Sequence, residues 1–179
     1  MNKSITIKAP ATIANLVCGF DIIGLALEEP YDIMTVSFSD KPGLSIRHID
    51  QFSLPEKPAD NVAGAALLSL MEKLDDSIGF EVTIDKRIKP GSGLGSSAAS
   101  SAGAVYAANK LLNDQFTTDD LIRFAMNGEK VASGVKHADN ITPCILGGVT
   151  IIRSIHPLDA ISISSPDLFI TVVHPQIEE

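Results

Sequence analysis

Hydrophobic and polar residues alternate from Ser4 to Lys8 and again from Tyr31 to Phe38, the period-two pattern of strands with one buried face. A third run, Leu44 to Ile49, follows the turn signal Asp40-Lys41-Pro42-Gly43, and the three together are expected to form early antiparallel strands. The period then changes. Asp60-Asn61 supplies helix caps, and Val62, Ala65, Ala66, Leu68, Leu70 and Met71 recur at helical spacing before Gly79. Phe80 to Ile84 returns to alternation. Ser96 to Leu112 is an Ala-rich helical stretch whose small side chains permit close packing, and Thr117-Thr118-Asp119-Asp120 has the form of a capping box opening a helix through Met126. Gly147 to Ile152 and Leu168 to Val173 read as strands. Strands and helices interleave without a strict strand-helix-strand repeat, so the expected class is α+β.

Composition limits what such a domain binds. With 45% hydrophobic and 20% charged residues the 179-residue chain is globular and suits one domain. It has no Trp, 2 Tyr and 7 Phe, so the core must be built from aliphatic residues and Ala. The net charge is -8, and the longest basic cluster, Lys86-Arg87-Ile88-Lys89, is too short to track a phosphate backbone, so nucleic acid is not an expected partner. No run of ~18 apolar residues suggests a membrane span, and the opening residues lack the apolar core of a signal peptide. Cys18 and Cys144 belong to no metal-binding cluster and suit a reducing cytoplasm.

The segment Pro90-Gly91-Ser92-Gly93-Leu94-Gly95-Ser96-Ser97 carries the clearest chemistry. Its glycines let backbone amides converge, and the helix that follows directs its positive end to the same place, which makes an anion site. The GxxxxGK[ST] loop does not fit for want of a lysine, and GxGxxG fails at Ser96. A flexible Gly-Ser linker would not run at once into a good helix. Ser96 and Ser97 offer two hydroxyls for phosphate oxygens or Mg²⁺. In the run Ala9 to Leu27, Asn15 and Asp21 interrupt an apolar stretch; they need partners, either a ligand or the turns that Gly19 and Gly24 suggest. A third group comprises Glu129, then Lys136-His137-Ala138-Asp139-Asn140, then Gly147-Gly148. Singly these residues are uninformative, but a carboxylate beside a phosphate loop can share Mg²⁺ with a hydroxyl.

Together the three segments resemble the GHMP small-molecule kinases. Pro90 to Ala99 is similar to their phosphate loop. Ala9 to Leu27 resembles the homoserine kinase pattern APASSANLGPGFDxLGLAL, and His137 to Gly148 resembles HxDNxxPxxxGG of the same branch. Thr12-Ile13 in place of Ser-Ser and Val17-Cys18 in place of Gly-Pro are mild departures. The resemblance implies an α+β N-terminal domain like the second domain of ribosomal protein S5, with a left-handed crossover, spanning residues 1–179. A ferredoxin-like C-terminal domain is then expected beyond Glu179, together with the TxxAR segment and the arginines that receive the substrate carboxylate.

It further implies ATP as co-substrate, held by Pro90, Gly91, Ser92, Gly93, Leu94, Gly95, Ser96 and Ser97, with Asn61 and Lys86 near the nucleotide. Ser97 and Glu129 would hold Mg²⁺. Asn15, Asp21, His137 and Asn140 would contact L-homoserine, Asp21 taking its ammonium. Asn140 stands where mevalonate kinase has a basic aspartate, and since an amide is no base, proton loss is expected to be assisted by a phosphate oxygen or water; Asp139 remains a rival base. The catalytic set implied is Ser97, Glu129 and Asn140. Another small-alcohol kinase of the superfamily is the nearest alternative. A non-catalytic S5-like RNA module is the other, and the acidic charge argues against it. The chain alone is expected to bind Mg-ATP weakly, to lack kinase activity, and to form a homodimer or aggregate through apolar surface meant for a second domain.

Overall fold

The first two strands are longer than their alternating cores. In the computed structural model, which describes residues 3–173, β1 runs Ser4–Asn15 and β2 runs Gly19–Phe38, joined as one antiparallel hairpin. The motif run Ala9 to Leu27 is therefore the outer part of this hairpin. The second half of β2 pairs with β1 and with β4 (Gly79–Asp85), and its first half with β1 and with β5 (Val149–Ile155). Strand β3 (Gly43–His48) lies beyond β4, and β6 (Leu158–Ile163) beyond β5.

Two expectations need correction here. β3 is not antiparallel to the first strands; it pairs parallel to β4, from Gly43 opposite Gly79 to His48 opposite Ile84. The intervening helix α1 (Val62–Met71) returns the chain to its starting end, so β4 re-enters in the direction of β3. Leu168 to Val173 forms no strand and is exposed throughout. Its alternation finds no ladder: Leu168 and Phe169 line a surface groove shared with Leu25 of β2, a strand that already has β1 on one edge and β5 on the other. The last six residues, from His174 to Glu179, lie outside the described residues. No helix among the described residues is long and apolar enough to cross a membrane.

The helices are α1, α2 (Ser96–Leu111), α3 (Thr118–Ser133) and the short α4 (Ile141–Leu146). The Thr117–Asp120 capping box opens α3 as expected, but the helix continues past Met126 to its Gly134 cap. α2 is buried nearly all round, from Ala98 to Leu111, which explains its Ala content. Between the sheet and its neighbouring helices only small side chains fit: a Cβ on Gly103 would sit 2.9 Å from the Ala9 methyl. Met34, Val36, Phe80, Val82 and Ile84 supply the sheet side of the core, and Leu67, Leu70 and Ile122 the helix side. This packing fixes α2 with its N-terminus at the end of β4, where the glycine loop arrives.

Candidate active site

The loop from Arg87 to Gly95 joins β4 to α2, and its anchorage begins with a buried ion pair. Asp32 on β2 is fully buried, and its Oδ1 accepts from the backbone amides of Arg87 (2.7 Å) and Ile88 (2.8 Å). Its Oδ2 pairs with Lys86 Nζ, which also donates to Ser96 O (2.6 Å) and Ser100 Oγ (2.8 Å). An ammonium has three N–H donors. All three of Lys86 are thus turned to the protein: the residue lines the cleft, as its expected place near a nucleotide requires, but it secures the helix start instead of offering its charge outward.

Gly91, Gly93 and Gly95 all take positive φ, 76°, 77° and 63°. Gly95 is required twice over, since it is the left-handed N-cap of α2 and a Cβ there would collide with the Thr12 hydroxyl. No side chain caps this helix. Its first-turn amides, which lack intrahelical partners by geometry, therefore belong to an anion-seeking helix end. The two serines diverge. Ser96 Oγ donates to Ile88 O (2.9 Å) and is buried, so only Ser97 keeps a hydroxyl for the site, donating to Glu129 Oε1 on α3 (3.1 Å). Of the remaining loop residues, Leu94 packs inward on Ala9, Ala11, Ile88 and Ala99, and Ser92 Oγ accepts from Leu94 N (3.4 Å).

A cleft of about 420 Å³ opens over this loop. Asn61, Lys86, Pro90, Gly91, Gly93, Gly95, Ser96, Ser97 and Asn140 line it; Ser92, Leu94, Glu129, Asn15, Asp21 and His137 are outside the lining. Asn61 is spent on structure. Its Oδ1 accepts from Gly64 N to cap α1, and its Nδ2 donates to Pro55 O and faces His48 Nε2 at 3.1 Å. His48 in turn meets Asp50 through Nδ1 at 2.9 Å. Burial alone would raise the Asp50 carboxyl, but hydrogen bonds from Phe52 N, His48 and Lys86 N hold it below the usual value. His48 also lines this wall, and no local sequence signal marks it. Ser100, which the sequence reading missed, also lines the cleft, and its place one helical turn beyond Ser96 is the signal that marks it.

Around Glu129 the charges are close enough to feel one another. Burial raises the Glu129 carboxyl above its ordinary range, Ser97 opposes this by donating to it, Asp139 adds to it and His137 offsets it. Asp139 is raised too, first by burial; the Asn140 amide on its Oδ1 (3.0 Å) and His137 work against this, and Asp21 reinforces it. His137 and Asp21 are exposed at the mouth of this acidic group. Asn15 has a turn contact: its Oδ1 accepts from Asp21 N (2.9 Å), closing a hairpin tip in which Asn15, Leu16, Val17 and Asp21 have positive φ. Asn140 meets the cleft while Asp139 is directed to its own helix start.

The family described as GHMP kinases N terminal domain matches residues 61–148. A homoserine kinase of Chloroherpeton thalassium is 41% identical over 98% of this chain and 59% of its own length. That of Methanococcus maripaludis is 39% identical over 98% of this chain and 58% of its own. The crystal structure of a homoserine kinase from Cytophaga hutchinsonii superposes with a TM-score of 0.86 at 42% identity, covering 93% of this chain and 53% of that one. A Methanococcus jannaschii mevalonate kinase, at 16% identity and a TM-score of 0.68, shares the fold over 91% of this chain and 56% of its own. This chain thus spans under three fifths of the length of the curated relatives it matches. Sequence and three-dimensional likeness agree over the same residues, and the chain belongs to the GHMP kinases, as their N-terminal domain.

Proposed function

We propose that this chain is the ATP-binding domain of a homoserine kinase, which transfers the γ-phosphoryl group of ATP to the hydroxyl of L-homoserine, giving O-phospho-L-homoserine and ADP. The observation that carries the proposal is the meeting, at one helix start, of a positive-φ glycine loop, the Ser97–Glu129 pair and Asn140. In the reaction the homoserine oxygen bonds to the γ-phosphorus, the bond to the bridging β–γ oxygen breaks, and the hydroxyl proton passes to a phosphate oxygen or to water. A loose transition state asks little of the nucleophile, so positioning and charge neutralisation supply most of the acceleration.

The loop amides and the start of α2 would bind the phosphates. The Ser97 hydroxyl and the Glu129 carboxylate, 3.1 Å apart, are hard oxygen donors that fit Mg²⁺, which usually takes one or two protein oxygens besides phosphate and water. When bound, Mg²⁺ supplies charge neutralisation on the phosphates. Asp21, exposed at the hairpin tip, would face the substrate ammonium, and His137 and Asn140 would complete the substrate side. The product is a precursor of threonine, and a cytoplasmic setting accords with this role.

The test is steady-state assay of the protein from its whole reading frame with Mg-ATP and homoserine, mevalonate or shikimate. kcat/KM is expected to be highest for homoserine by a wide margin; preference for either rival would replace the substrate assignment. Asp21→Asn is expected to raise KM for homoserine by roughly 10- to 150-fold, the loss of a charge-assisted hydrogen bond of about 1.5–3 kcal/mol, with KM for ATP nearly unchanged. Equal damage to both constants, with a lower Tm, would return Asp21 to the hairpin turn. Asn140→Ala is expected to lower kcat by roughly 10- to 100-fold through lost orientation. Should Asp139→Asn abolish turnover while Asn140→Ala is normal, Asp139 is the base.

A further inference from the structure

Thr12 has no assigned part in this chemistry, yet it is fully buried where three segments of the site meet. It lies on β1 just past the register shift that follows Pro10, and its backbone amide donates to Leu94 O in the glycine loop (3.1 Å). Its hydroxyl occupies the space that Gly95 leaves by lacking a Cβ. From there Thr12 Oγ1 donates to Asn140 Oδ1 at 2.8 Å. A primary amide has one acceptor oxygen and two N–H donors, and this contact engages the oxygen.

We propose that Thr12 is a positioning residue that locks the Asn140 side-chain amide with its NH₂ group toward the cleft, making Asn140 a donor to the oxygen atoms of the reacting groups. The proposal rests on the kinase reading of the site and adds to it a direction for the amide. A donor at this position holds the lone pairs of a hydroxyl or phosphate oxygen and cannot draw off the substrate proton. The flipped amide would present an acceptor oxygen toward phosphate oxygens and repel them. Thr12 thereby links the hairpin, the glycine loop and the start of α4, so that the amide is oriented by the same residue whose backbone seats the loop.

Two measurements test this. In the protein from its whole reading frame, Thr12→Val is expected to lower kcat for homoserine by roughly 10- to 100-fold with KM for ATP within about twofold, and Thr12→Ser to recover kcat to within about threefold of wild type. Added to Asn140→Ala, Thr12→Val should bring no further loss, because both remove one contact. A normal kcat for Thr12→Val, a serine variant as poor as the valine one, or losses that multiply would each overturn the proposal. The second measurement needs no turnover. In the ¹⁵N-labelled chain, the Asn140 NH₂ pair, identified by its disappearance in Asn140→Ala, is expected to shift in Thr12→Val and to stay close to wild type in Thr12→Ser. An unmoved pair in Thr12→Val overturns the proposal, whereas a wild-type enzyme that ignores homoserine with this NMR pattern intact overturns the substrate reading alone.

Discussion

Glu129→Gln is expected to lower kcat by roughly 10²–10³-fold at saturating Mg²⁺, the scale on which removing a preorganised electrostatic contact acts, while KM for ATP changes little. Glutamine keeps the shape and can still accept from Ser97, so the substitution removes charge and little else. Thermal stability should hold, because the carboxylate it replaces is already disfavoured by burial. Steady-state kinetics on the protein from its whole reading frame are the check, and an unchanged kcat would take Glu129 out of the proposed cation site. The pH dependence has a definite sign. Burial raises the Glu129 carboxyl, so it holds its proton to higher pH than a free glutamate, and a cation must displace that proton. Apparent Mg²⁺ affinity should therefore weaken as pH falls through a titration above the ordinary carboxylate range, and the glutamine variant should lack this limb.

Lys86→Met is expected to destabilise the domain by about 3–5 kcal/mol, the cost of leaving a buried charge without its partner, which corresponds to a fall in Tm of roughly 6–20 °C for a domain of this size. Asp32 would keep the amides of Arg87 and Ile88 but lose its only ammonium, and Ser96 O and Ser100 Oγ would lose a donor. Replacing Asp32 as well should not restore the loss, because two backbone amides would then be left in the interior. Circular dichroism melts decide it. A Tm within about 2 °C of wild type would mean that water reaches the pair and that its burial has been overstated.

These two residues show how far the sequence could be read. Glu129 and Ser97 were singled out because the phosphate loop directed attention to any hydroxyl and carboxylate near it, and the fold brings the two within 3.1 Å. Lys86 was expected near a nucleotide; it lines the cleft, and its ammonium is engaged by Asp32, Ser96 and Ser100. Its real partner, Asp32, lies 54 positions away on another strand, and nothing local in Tyr31-Asp32-Ile33 marks an inward carboxylate, because that pattern alternates as a surface strand would. The serine pair was more tractable. Adjacent helical residues point about 100° apart, and here the Ser96 hydroxyl turns to Ile88 O while the Ser97 hydroxyl turns to Glu129. Helices α1, α2 and α3 were legible from caps and small-residue content, which are local. The direction of β3 and the unpaired run Leu168 to Val173 were not, since both depend on which strand edges remain open after the rest of the sheet has formed.

The burial of α2 on nearly every side has a consequence for the order of events at the cleft. A surface helix can fray at its first turn and tighten around a ligand, but this one cannot loosen without taking the sheet and both neighbouring helices with it. The hydrogen-bonded amides of its central turns can exchange with solvent only through openings that approach global unfolding. The chain entropy of holding its first residues in place, about 1–2 kcal/mol for each, is lost when the domain folds and is not lost again when an anion arrives. The hairpin tip from Asn15 to Asp21 is the opposite case: it is exposed, carries Val17 and Phe20 in solvent, and has little to hold it. On the proposed reading, a rigid phosphate end and a loosely held substrate end would share β1 and β2, so that the first ligand would meet a finished surface and the second would shape its own.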